Sequence, residues 1–159
     1  MSCGKDPIDR ASRDAAADLI DGFAAGRITN RVLEKRWPRT KDRAVDAAES
    51  YVWLLYDDFK EHALRGANAE SPEVRRTLRL LIGFLRSDLP YEYPHMHTTF
   101  QTLHPAWLSI LTFGLSEAWN RRVRRLNAEF EERMKAAGDV SVWPFAREED
   151  ALKKVGKRA

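Results

Sequence analysis

Apolar residues recur along most of this chain at spacings of three and four, the pattern of helices with one buried face. Ala15, Ala16, Leu19, Ile20 and Phe23 form a first stripe, and Asp14, Asp18 and Asp21 occupy another face of the same helix. Asp6-Pro7 supplies a capping side chain and a proline suited to the first turn, Asp9 suits the positive end of the helix dipole, and Gly26 is a natural stop. Thr29-Asn30 then caps a short second helix, with Ile28, Val32 and Leu33 packing back on the first. Trp37-Pro38 ends it, because the residue before a proline avoids helical backbone. Residues 6–37 therefore read as a helical hairpin.

A long helix is predicted over residues 42–64, with Ala44, Ala48, Tyr51, Leu55, Phe59 and His62 as its core stripe and Gly66 closing it. Ser71-Pro72-Glu73 opens the next helix, over 72–87, whose buried face is Val74, Leu78, Leu81, Ile82 and Leu85. Residues 88–104 hold Pro90 and Pro94, two tyrosines and two histidines before His104, and read as an irregular aromatic connection. A helix resumes over 105–137, with Leu115, Trp119, Val123, Leu126, Phe130 and Met134 on one face and Gly114 marking a kink or break. Gly138-Asp139 stops it. Residues 140–145 read as extended, docking through Trp143 and Phe145, and a last short helix is expected over 148–154 before a basic tail.

The expected fold is all-α: one domain over residues 1–159 with five to six helices, a hairpin at 6–37, a helical core at 42–137 and a C-terminal segment at 139–159. Five Trp, four Tyr and seven Phe give enough apolar bulk to fold a chain of this length without a disulfide or metal. Cys3 is the only cysteine, so no intramolecular disulfide forms, which fits a reducing compartment. Residues 1–18 lack the apolar core of a secretory signal, and the longest uncharged run, 98–116, is too polar for a membrane span. A cytoplasmic location is expected. The charges, 27 basic against 24 acidic, are interspersed and leave a net +3. That spread is unlike the clustered charge of nucleic-acid binders and makes a nucleic-acid partner the weaker expectation.

Candidate chemistry is sparse. His95, His97 and His104 are the sharpest group, since His-Met-His on an extended segment faces two imidazoles to one side and a third histidine could complete a metal site. His62 sits on the core stripe of the long helix. Asp57, Asp58 and Glu61 form an acidic cluster at helical spacing, either a solvated face or an acid–base pair. Residues 27–43 carry seven basic residues and Trp37, a second candidate for a polyanion. There is no GxSxG elbow, no HExxH, and no glycine-rich phosphate loop among Gly22, Gly26 and Gly66. No cofactor and no catalytic residue is expected. Tyr91, Glu92 and Tyr93, with Trp37, are the candidates for contact with a partner, because tyrosine and tryptophan offer large, stiff contact area. Tyr91 and Tyr93 serve equally well as plugs of a buried corner.

The strings FLRSDLPYEYP at 84–94, LIDGFAAGRITNRVLEKRW at 19–37, Leu55-Tyr56-Asp57-Asp58, and Val142-Trp143-Pro144-Phe145 with Arg147 and Asp150 resemble a family of small bacterial proteins with no assigned activity. The resemblance covers about two thirds of the chain at scattered motifs and implies a bacterial, helical, non-enzymatic protein. The leading expectation is a protein that binds another protein, an immunity or inhibitor protein being one form. The alternatives are a metal-binding protein built on the histidines and a nucleic-acid binder built on residues 27–43 and 121–125. The stripe over 115–134 also suits pairing with a second copy.

Overall fold

The computed structural model describes residues 7–65, 71–94 and 115–156, and within them the fold is all-α, with six α-helices. They are α1 (Arg10–Ala24), α2 (Asn30–Arg36), α3 (Arg43–Trp53), α4 (Pro72–Leu85), α5 (Leu115–Ala137) and α6 (Glu148–Val155). A 3-10 turn at Val140–Val142 precedes α6. α1 is central: it packs most extensively on α4 and also meets α2 and α3, while α6 packs on α4.

The helix starts follow their caps. Asp9, not Asp6, caps α1, taking the Ser12 amide at 3.0 Å. Thr29 caps α2, Ser71 caps α4 with Pro72 at its first turn, and Asp42 caps α3 through the Ala44 amide at 2.9 Å. Gly26 leaves α1 with φ +67°, a left-handed turn, and the space a side chain would need there is filled by Arg65.

Ala16, Ala17, Ile20 and Phe23 of α1 meet Leu78, Leu81, Phe84 and Leu85 of α4 and Ala44, Val45, Ala48 and Val52 of α3 in one core. Ala15, expected on the stripe, is exposed. Its neighbour Arg13 takes the inward direction instead and is only 1% exposed. Arg13 forks onto both carboxylate oxygens of Asp42, Nε at 2.6 Å and Nη2 at 3.0 Å. Its remaining nitrogen donates to the Ser87 and Leu89 carbonyls, and its guanidinium lies 5.6 Å from the Phe84 ring centroid. Burying a charge is tolerated when it is paired and its donors are used, and here both conditions hold.

The chain after α4 alternates like a strand. Ser87, Tyr91 and Tyr93 are buried and Leu89 half-buried, while Asp88, Pro90 and Glu92 are exposed. Among the described residues no strand lies beside it; arginines take its carbonyls. Arg10 donates to the Leu85 and Ser87 carbonyls, Arg13 to Ser87 and Leu89, and Arg43 to Tyr93 at 2.6 Å. The C-terminal segment docks through Trp143 and Phe145 as expected, closing over the tyrosines, and the Trp143-Pro144 bond is cis. The Tyr93 hydroxyl lies 2.9 Å from the Asp139 carbonyl and 3.0 Å from that of Phe145, and the Trp143 indole donates to the Tyr91 hydroxyl at 3.2 Å. The extended reading of 140–145 is corrected to the 3-10 turn followed by this docked arm.

The largest correction concerns the long helix. It ends at Trp53, eleven residues before the expected end at 64, and 54–65 is irregular. Phe59, expected in the core, is 100% exposed. Of the helix expected over 105–137, residues 115–137 are helical and 105–114 lie outside the described residues, as does Gly66. On α5, Val123 is buried and Met134 packs on the core, whereas Trp119 and Leu126 are over a third exposed.

Candidate recognition surface

Residues 54–65 are held by the start of α2. Asn30, fully buried, donates its side-chain amide to the carbonyls of Asp57 at 3.0 Å and Lys60 at 3.1 Å. Its side-chain oxygen accepts the His62 amide at 3.0 Å, and its backbone amide donates to the His62 carbonyl at 2.9 Å. Arg31 donates to the Asp58 carbonyl and Thr29 to the Glu61 carboxylate, both at 2.6 Å. Asp57 closes a local turn by accepting the Phe59 and Lys60 amides, and these two bonds hold its carboxyl below the usual range. The acidic cluster therefore lies on an irregular segment, with Asp57 closing a turn, rather than on one helical face.

The segment fixed in this way carries apolar side chains into solvent. Leu54 is 62% exposed, Phe59 wholly so, and Trp53 just before it is also exposed. The Trp53 and Tyr56 rings meet at 4.6 Å between centroids, tilted by 57°, and the Tyr56 hydroxyl donates to Glu34 of α2 while accepting from Arg31. That bond to a carboxylate raises the Tyr56 pKa above its ordinary value.

Next to this ridge lies a cleft of about 340 Å³ between α2, α3 and the turn that joins them. Trp37, Pro38, Val45 and Trp53 give it apolar walls; Glu34, Asp46 and Glu49 give it three carboxylates, against Arg39 as the one cation among the lining residues. The Trp37 indole nitrogen is buried with no hydrogen-bond acceptor among the described residues. Burial, and secondarily the charge of Asp46 one turn away, raise the Glu49 pKa.

The residues singled out from sequence are distributed as follows. Trp37 is half-buried in the cleft, and Glu92 is exposed. Tyr91 and Tyr93 are 8% and 0% exposed and plug the core, and burial pushes both hydroxyls up to about 12. Their side chains are thus turned away from any surface contact, so of the four expected partner-binding residues Trp37 and Glu92 reach solvent. His95, His97 and His104 lie outside the described residues. Among the described residues no group of three or more His, Cys, Asp or Glu side chains is placed to hold a metal. His62 is half-buried, its ring edge-on to Phe23 at 5.7 Å and its nitrogens facing the Leu55 and Lys60 carbonyls. Of the basic residues over 27–43, Arg27 pairs with Asp21, Arg31 with Tyr56 and the Asp58 carbonyl, and Arg43 with the Tyr93 carbonyl. Much of that charge is spent inside the molecule. No helix among the described residues is long and apolar enough to cross a membrane.

Sequence reasoning missed Phe59, Leu54 and Trp53 as surface residues and Asn30 as their organiser. The side-chain amide of Asn30 beside Thr29 is visible in the sequence only as a second capping candidate. No family model, curated protein or solved structure matches this chain.

Proposed function

We propose that this chain is a non-enzymatic protein-binding module whose contact surface is the ridge Trp53, Leu54, Phe59 and the adjoining Trp37 cleft. One observation carries the reading: a wholly exposed phenylalanine on a segment that Asn30 fixes with four hydrogen bonds. A large apolar side chain left in water has no stabilising role in the free chain, and a loop already ordered loses little entropy when it binds. Aromatic anchors of this kind dominate the energetics of protein interfaces. An inhibitor or immunity protein, which acts by covering a partner's surface, is one form such a module takes.

The test is capture from cells that express the protein natively, with Phe59→Asp as the paired variant. The wild type retains a partner at near-stoichiometric yield and Phe59→Asp, folded by circular dichroism, does not. Equal retention by both, or none by either, removes this surface as the binding site.

A further inference from the structure

The cleft beside the ridge has a chemistry that narrows the partner. Asp46 and Glu49 stand one turn apart on α3 and both line it. Glu34 is engaged by the Tyr56 hydroxyl and lies 3.7 Å from Arg31. Asp46 has an interaction of its own within the chain. Glu49 has no ion-pair partner among the described residues and faces the like charge of Asp46 while partly withdrawn from water. Acids so placed gain from an added cation, and Arg39 alone on the lining leaves the cleft acidic.

Two indoles, Trp37 and Trp53, line the same space, and Val45 and Pro38 supply apolar surface beside them. Indole faces attract cations, a planar guanidinium stacks on them, and the aliphatic stem of a long basic side chain covers apolar wall. A bare acidic face offers none of these last features, and a neutral apolar side chain would leave Glu49 further desolvated.

We propose that the cleft is the seat of an arginine side chain of the partner protein, its guanidinium against the indoles of Trp37 and Trp53 and beside the Glu49 carboxylate. This rests on the reading of the chain as a protein-binding module. The ridge then supplies apolar area and the cleft supplies charge selectivity, so that partners with an acidic or neutral residue at this point are rejected.

The experiment uses the full chain, 15N-labelled, with the indole N–H resonances of Trp37 and Trp53 as reporters and Nα-acetyl-L-argininamide as the probe. Its neutral isostere, the citrulline amide, is the control. Both indole signals are expected to move saturably with the arginine probe and not with the citrulline probe. Glu49→Gln is expected to weaken the arginine probe by about two- to fivefold, the effect of one partly screened ion pair. Absence of saturable shifts, or equal shifts from citrulline, overturns the proposal. If the probe fails while partner capture still depends on Phe59, the arginine seat is wrong and the binding module stands. If the probe binds but no protein partner exists, the cleft serves a small organic cation and the proposal falls with the reading beneath it.

Discussion

Replacing Arg13 tests the central packing argument directly. Its guanidinium ties α1 to the cap of α3 through Asp42 and to the chain after α4 through the Ser87 and Leu89 carbonyls, with 1% of the residue exposed. Arg13→Met keeps the length of the side chain and removes every donor. Asp42 then remains a buried carboxylate with only the Asp9 and Ala44 amides as donors, the Leu89 carbonyl loses its Arg13 donor, and the Ser87 carbonyl is left with Arg10. Removing one member of a buried ion pair costs about 3–5 kcal/mol, a large share of a total stability of about 5–15 kcal/mol. With a urea slope of about 2 kcal/mol per molar for a chain of this size, the unfolding midpoint falls by roughly 2 M. Adding Asp42→Asn removes the stranded charge while keeping an oxygen to cap α3, so the double variant is expected to recover about 1–2 kcal/mol of the loss. Urea titration followed by tryptophan fluorescence measures both. A loss below about 1 kcal/mol for Arg13→Met would refute the view that this residue joins the three elements. A double variant no better than the single would move the cost from the stranded carboxylate to the Leu89 carbonyl and the lost packing.

Three other outcomes follow from the same contacts. Asn30→Ala removes three side-chain hydrogen bonds and is expected to cost about 2–3 kcal/mol and to open residues 54–65 to limited proteolysis; unchanged cleavage would mean that the segment holds itself. Gly138→Ala would bring a Cβ to 2.6 Å from the Ala146 backbone oxygen, so thermal melts should show a loss of about 1–3 kcal/mol, and a neutral result would show that the C-terminal arm shifts freely. Glu49→Gln should raise stability at neutral pH. The folded carboxyl has a raised pKa, so its ionisation opposes folding above the ordinary value of 4.5 and not well below it. The gain should therefore vanish in melts taken below pH 4, and a gain that persisted there would assign it to packing instead.

How far the sequence could be read is clearest in three places. The starts of α2 and α4 were legible because Thr29 and Ser71-Pro72-Glu73 are local signals that act on the next few residues. The end of α3 was not, because Leu55, Phe59 and His62 continue the helical spacing beyond Trp53. Beyond Trp53 the chain is held in another course by Asn30, about thirty residues away, which takes the carbonyls of Asp57 and Lys60, together with the turn made by Asp57 itself. Periodicity records which residues would share a face if the helix continued, and it is silent about a distant amide that competes for the backbone. Arg13 escaped for the same reason: its inward position depends on Asp42 arriving from α3, and alone it reads as a solvated charge. At the candidate surface, Trp37 stood out by its type, whereas Phe59 was assigned to the interior by its spacing.

The chain between α4 and Pro94 is anchored by what every residue shares, its carbonyl, as well as by its two buried tyrosines. Its length should therefore be governed by parity. Inserting one residue between Ser87 and Tyr91 would turn both tyrosines to the outside and bring Glu92 inward, whereas inserting two would restore the facing at the expense of a bulge. The outward positions 88, 90 and 92 should accept almost any residue in a saturation library. Intolerance would appear instead at the inward Ser87, Tyr91 and Tyr93 and, far along the chain, at Arg10, Arg13 and Arg43, so that a map of mutational sensitivity would locate part of the constraint on this segment outside it.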